Sequence, residues 1–377
     1  MLRFLPSLFI LGFTPLATLA QLHDESLVAP AVQINPPANY AAQNRLWQGI
    51  PGIERAPNGR LWALWYTGGK GEGNENYVVL VTSSDDGKTW SAPKLVIDPP
   101  GPVRAYDPCL WHDPTGTLWL FWAQSYTLWD GRSGTWAITT KNATDENPTW
   151  TKPRRIGDGI MMNKPTALST GQWAFPLAIW KLKPFPKEMD AQRFPNLHIT
   201  ADQGKTFRFV RGPEVPGRGI DEHMLVERND GSWWVLVRTT FGIGESLSRD
   251  GGKSWLPGRD SWIRGPYARF FIRRLKSGRL LLVNHYEFTG RSHMTASLSD
   301  DDGCSWYGHL LLDERKYVSY PDGVEAPDGR IYVIYDRERS GAKEILMAVF
   351  TEDDVAAGKP KTKHCRLKVL VSKVGQK

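Results

Sequence analysis

Two short apolar runs joined by Asn229-Asp230-Gly231 occupy the stretch from Asp221 to Arg238 and set a carboxylate beside a guanidinium. The runs alternate apolar and polar residues, and Asp-Gly between such runs is the strongest short-range hairpin signal. Folding there pairs residues whose numbers sum to about 461, which brings Glu222 to Arg238 at the open end of the hairpin. Such a pair either holds a proton-accepting carboxylate in place or serves as a buried structural salt bridge. Equivalent turns recur along the chain. Counting back about nine residues from each gives Gly49/Ile50, Asp107, Met162/Asn163, Glu222, Arg269 and Tyr320 at one structural level. Strand starts in an ordinary β core are mostly apolar. A ring of polar groups converging on one pocket is instead what acid–base or anion-binding chemistry requires.

The elements that position this ring are sheet-forming units. A turn glycine followed by an apolar run appears at Gly59, Gly116, Gly171, Gly231, Gly278 and Gly329, at intervals of roughly 50 to 60 residues. No long heptad or 3.6-period run interrupts them. Six such units predict an all-β fold, a six-bladed β-propeller of four-stranded antiparallel blades, because radial repetition leaves only short, protected edges. Closing the ring is expected to pair an N-terminal strand, somewhere in Leu22–Asn44, with the last blade. The innermost strand of each blade is the run just before the turn glycine.

A second repeat runs out of phase with the first. SSDDGKTW (Ser83–Trp90), TADQGKTF (Thr200–Phe207), SRDGGKSW (Ser248–Trp255) and SDDDGCSW (Ser299–Trp306) share Ser/Thr-x-Asp-x-Gly-x-Thr/Ser-aromatic, with a worn copy ending at Trp150. The Asp accepts backbone N–H bonds and the Gly takes φ > 0, which makes a tight hairpin. The Asp300–Asp302 run lacks the ligand spacing of an EF-hand calcium loop. These stretches are Asp boxes, and with four clear copies the chain resembles the sialidase (neuraminidase) superfamily of six-bladed propellers from about Arg45 to Phe350. In that superfamily the boxes are structural turns on the face away from the active site.

The resemblance implies roles at matching positions. Sialidases use a tyrosine nucleophile with a glutamate beside it as base, an exception to the usual carboxylate pair. VSYPDGVEAPDGRIYVIYD resembles the segment carrying that tyrosine and points to Tyr320. The Asp221–Arg238 segment resembles the glutamate-to-arginine segment, which implies Glu222 as base and Arg238 as a carboxylate-binding arginine. RSHMTASLSDDDG resembles the segment with the third arginine of the family triad, here Arg291. Bidentate pairing with a carboxylate is the reason such a triad uses arginine.

The chain departs from the pattern twice. Where sialidases have Arg-Ile-Pro, it reads Gly49-Ile50-Pro51, so the first arginine is absent and space is expected where a guanidinium would lie. The loop that carries the family's acid/base aspartate reads YTGGKGEGNENY, with Glu72 and Glu75 but no aspartate. Either glutamate would serve as acid/base if burial raised its pKa, and either is otherwise a solvated loop carboxylate. Asp107 and Asp322 read as substrate-binding pocket carboxylates or as turn caps. Lys164 is expected near the channel mouth as an anion ligand. Arg269 is a better pocket candidate than Arg273 on the same strand, while His112, His223 and His293 read as strand, turn or packing residues.

Composition bounds the rest. Residues 1–20 read as a secretory signal, with Arg3, an apolar run to Phe13 and small residues ending at Ala20, so residues 21–377 would form one propeller outside the cytoplasm, secreted or periplasmic. No later run is long enough to span a bilayer. A net charge of +7 without Lys/Arg blocks argues against nucleic acid and suits an anionic glycan. The three cysteines, Cys109, Cys304 and Cys365, allow at most one disulfide and show no metal spacing. Most of the 17 tryptophans are expected between blades, with some lining a sugar-binding groove. The reading is a secreted exo-glycosidase acting on an oligosaccharide or polysaccharide with an acidic sugar, needing no metal or organic cofactor. A polysaccharide lyase acting on uronates and a non-catalytic glycan-binding propeller are the alternatives. With Gly49 breaking the arginine triad, a uronate-containing glycan is expected rather than a sialoside.

Overall fold

A computed structural model of the chain describes residues 25–126, 134–181 and 187–375, so the signal segment lies outside the described residues. Six antiparallel sheets follow one another along the chain as six blades. The innermost strands are Trp47–Arg55, Val103–His112, Thr166–Ala167, Met224–Glu227, Phe271–Arg274 and Val318–Glu325. Each turns through its glycine into the second strand, and the six turn glycines have φ between 80° and 96°. At five of these six positions a Cβ would meet open space, so it is the backbone sign and not crowding that demands glycine.

Blades two to six have four strands each, as expected, and the first has five. The ring closes differently from the sequence expectation. The N-terminal strand Val32–Ile34 pairs with Leu95–Ile97 as an extra outer strand of the first blade. The last blade takes its outermost strand, Arg366–Lys373, from the C-terminus. With both end blades complete in themselves, no strand ladder among the described residues closes the ring, and side-chain bonds bridge the first and last blades. Gln48 Nε2 donates to the carbonyls of Lys343 (2.7 Å) and Ser372 (3.2 Å), and the Ile50 and Ile53 amides donate to Asp336 Oδ2 (2.8 Å) and Asp322 Oδ2 (2.9 Å).

Between the blades lie the large apolar side chains. Trp62, Trp65, Trp111, Trp122 and Trp234 are all fully buried, each contributing a few kcal/mol of apolar burial. The four Asp boxes follow the third strands, at the same end of the propeller as the turn glycines. In each, the Asp carboxylate accepts from the Ser or Thr two residues before it and from the backbone and hydroxyl of the Thr or Ser four residues after, as Asp202 does with Thr200 (2.8 Å) and Thr206 (2.9 and 2.7 Å). Asp301 is used in this way, Asp300 binds Arg279 and Asp302 binds Arg274, so that acidic run is spent on protein partners.

Candidate functional site

Three innermost strands carry a bulge that re-aims a side chain. Their ladders shift register between Gly49 and Gly52, Tyr106 and Cys109, and Ser319 and Asp322. Inside each bulge one residue has positive φ and precedes a proline: Ile50 (59°), Asp107 (45°) and Tyr320 (56°). Proline has no N–H for the ladder, so pairing lapses there and the extra residue is accommodated. Holding a side-chain-bearing residue in this conformation costs on the order of 1–3 kcal/mol and is typical of functional positions.

The fourth blade brings its partner group without a bulge. Its hairpin sets Met224 opposite Leu236, and the same register carried outward sets Glu222 opposite Arg238. Arg238 Nη1 lies 2.7 Å from Glu222 Oε1. The Tyr320 hydroxyl donates to the same Oε1 at 2.9 Å and accepts from Arg238 Nη1 at 3.3 Å. All three residues are buried, and Glu222 Oε2 has no partner among the described residues. Burial, reinforced by the Glu222 charge, pushes the Tyr320 phenol up to about 12, against the pull of the guanidiniums of Arg238, Arg291 and Arg339. Tyr320 is therefore neutral near pH 7 and would need a base at the moment of attack. Glu222 is in contact to take that proton.

Two more guanidiniums stand over the tyrosine ring, Arg339 at 4.8 Å and Arg291 at 5.4 Å from its centroid. Arg339 was not foreseen. It fills the room left by Gly49, whose Cβ would lie 2.2 Å from Arg339 Cδ, so no guanidinium-sized space exists there. It comes from the loop after the second strand of the last blade, where no motif marks it. The absent arginine at position 49 was the one available hint. Arg339 Nη1 binds Glu72 Oε1 at 2.8 Å, and its Nε lies 3.7 Å from Asp336 Oδ2. Trp47, Glu72, Arg291, Tyr317, Ser319 and Arg339 line a cavity of about 570 Å³ at this end of the channel.

The other sequence candidates divide by depth. Glu75 is exposed, and its carboxylate folds back against Gly69 of its own loop instead of facing the cavity. Lys164 is not at the channel mouth. It is buried, with Nζ donating to Ile53 O (2.7 Å), Leu110 O (2.7 Å) and Glu54 Oε1 (2.9 Å), and Asp322 lies 3.2 Å away, so its three protons are spent inside the protein. Arg269 donates to Asn163 Oδ1 and the Met162 carbonyl and lies 3.9 Å from Asp322. Lys164, Asp322 and Arg269 thus form a buried polar layer joining the blades. Asp107 is also buried, in the channel among Arg104, Glu72, Glu222 and Arg269. His223 is a packing residue whose Nε2 meets the Asn196 carbonyl. All three cysteines are free.

The opposite end of the channel has its own opening of about 600 Å³, lined by Glu54, His112, Arg273 and Glu325 among others. It shares no residue with the cavity lined by Arg291 and Arg339.

Comparison with known proteins identifies relatives of the fold. A family profile described as a BNR repeat-like domain matches residues 59–333. No curated protein sequence matches the chain. Among solved structures, a Dyadobacter fermentans protein of unknown function is 18% identical, over 83% of this chain and 96% of that one, with a TM-score of 0.63. The intramolecular trans-sialidase from Ruminococcus gnavus, solved with oseltamivir carboxylate, is 15% identical over 86% of this chain and 98% of that one, with a TM-score of 0.65. An α-L-arabinanase from Penicillium chrysogenum, solved with arabinobiose, is 18% identical over 87% and 99%, with a TM-score of 0.56. At these identities the likeness is one of fold. Among the described residues no helix is long and apolar enough to cross a membrane.

Proposed function

The chain belongs to the BNR repeat-like domain family, and from that premise we propose that it is a glycoside hydrolase acting outside the cytoplasm on a glycan that carries an acidic sugar. The observation that carries this reading is the triangle of Tyr320, Glu222 and Arg238, in which a buried neutral phenol donates directly to a buried carboxylate. In the proposed reaction Tyr320 attacks the anomeric carbon while Glu222 accepts its proton. A phenol suits this task beside an anionic sugar, where a carboxylate nucleophile would be repelled. Arg238 touches the reacting oxygen, Arg291 and Arg339 stand over the tyrosine ring, and the three would hold the sugar carboxylate. Charge-assisted bonds of this kind contribute on the order of 1.5–3 kcal/mol each.

The expected substrate is a uronate-containing glycan rather than a sialoside. The cation facing Gly49 enters from the last blade and is already shared with Glu72 and Asp336. Its approach to a bound carboxylate therefore differs from that of an arginine at position 49. The test is product analysis on a panel of acidic glycans. New reducing ends without an unsaturated sugar support hydrolysis. An unsaturated product absorbing in the ultraviolet would mean lyase chemistry, and binding without turnover would mean a glycan-binding propeller.

A further inference from the structure

Asp107 is the one carboxyl of the inner ring that the structure leaves without an assignment. It sits in the second blade at the bulge position that Tyr320 occupies in the last. It is only 3% exposed. Among the described residues its carboxyl has no hydrogen-bond or ion-pair partner, and its oxygens are not among the sealed, unpartnered atoms of the core. The charged and titratable groups facing it come from every neighbouring element: Arg104 on its own strand, Tyr66 and Glu72 from the first blade, Glu222 from the fourth and Arg269 from the fifth. Neither guanidinium is committed to Asp107. Arg104 Nη1 donates to Asn76 Oδ1 with its plane over the Tyr106 ring, and Arg269 donates to Asn163 and Met162.

We propose that Asp107 is the general acid of this site, giving its proton to the leaving-group oxygen. The proposal rests on the glycosidase reading above. As Tyr320 oxygen bonds to the anomeric carbon and loses its proton to Glu222, the glycosidic C–O bond breaks and its oxygen takes the Asp107 proton. In the second half, Asp107 carboxylate takes a proton from water as that water's oxygen bonds to the anomeric carbon. The tyrosine oxygen leaves and recovers its proton from Glu222, so both side chains return to their starting states. Burial, helped by the nearby Glu72 and Glu222 charges and opposed by Arg104 and Arg269, pushes the Asp107 carboxyl up to about 8, which keeps the proton in place at neutral pH. Glu72 is less suited to the role, being partly exposed and tied to Arg339.

Two measurements test this on the full chain. Infrared difference spectra of wild type minus Asp107→Asn at pH 7, without substrate, should contain a protonated-carboxyl band that fades as pH rises through about 8. Absence of that band overturns the proposal. In turnover, Asp107→Asn should slow cleavage of the natural glycan by about 10²–10⁴-fold. It should largely spare the first-turnover release of 4-nitrophenol from an aryl glycoside of the same sugar, a leaving group that needs no protonation. The basic limb of the wild-type pH profile should disappear in Asp107→Asn and persist in Glu72→Gln. Equal first-turnover losses on both substrates, or a limb removed by Glu72→Gln instead, would overturn the assignment. If the band is present but wild type cleaves no acidic glycan, the glycosidase reading fails while Asp107 remains a neutral buried acid without a catalytic role.

Discussion

Tyr320, Glu222 and the guanidiniums around them are where the account is most exposed to mutation. Tyr320→Phe and Glu222→Gln preserve volume, so packing losses should be small while nucleophile or base is lost. Each is expected to reduce turnover by at least about a thousandfold, with circular dichroism unchanged. Near wild-type rates in either variant would remove that residue from the mechanism. At Gly49 the expectation inverts what the sequence alone suggested. A side chain there does not enter free space but meets Arg339 Cδ at 2.2 Å. Gly49→Ala should therefore displace Arg339 from the cavity and raise KM for an acidic substrate by roughly tenfold, the equivalent of losing one charged contact of about 1.5 kcal/mol. An unchanged KM would mean that Arg339 does not touch the substrate. At this scale the Glu222–Arg238 contact was legible because the short Asn229-Asp230-Gly231 turn fixes register over the whole hairpin. Arg339 was not, because a loop side chain from the far end of the chain reaches position 49 only once the ring has closed.

At the scale of elements, the repeats carried most of the architecture. A turn glycine demands a backbone sign that few other residues supply, so six of them report six blades. The bulges were harder to see. Ile50-Pro51, Asp107-Pro108 and Tyr320-Pro321 share a signal, but a proline also fits an edge strand or the first residue of a strand without any bulge. Closure was misread because the pairing of three-residue strands such as Val32–Ile34 is weakly specified by pattern. The Asp boxes yield a prediction that separates fold from function. In their boxes Asp250 and Asp301 are held down to about 2 by hydrogen bonds from Ser254 and Ser305. A folded-state pKa depressed in this way stabilises the protein above the ordinary Asp range of about 4. That contribution is lost as pH falls from there through about 2. Asp250→Ala should lower Tm by a few degrees at pH 7. The drop should vanish in acid, while kcat/KM stays unchanged because the box lies at the end away from Tyr320. A Tm difference that persists at pH 2 would mean that the aspartate acts through packing rather than charge.

The whole molecule is a ring whose two ends differ, with the Tyr320 site at one and the Asp boxes and turn glycines at the other. Fold class was legible throughout, since repeated units overdetermine a propeller. Substrate identity was not, because it depends on a few side chains that different blades bring together. The modest excess of positive charge, +7 over the chain, is too diffuse to select a ligand, whereas three guanidiniums around one phenol are local enough to do so. The N-terminal segment adds a further expectation: expressed with its first twenty residues, the protein should reach the periplasm or medium with its N-terminus near Gln21, as N-terminal sequencing would show. Retention of Met1 in a cytoplasmic product would contradict it. The central claim is that Tyr320 cleaves an acidic glycan, and the most direct measurement is parallel product analysis of wild type and Tyr320→Phe on one panel of uronate-containing and sialylated glycans. The account predicts new reducing ends from a uronate-containing glycan with wild type, none with Tyr320→Phe, and little release of sialic acid. Equal product from both proteins, or efficient release of sialic acid from standard sialosides, would contradict it.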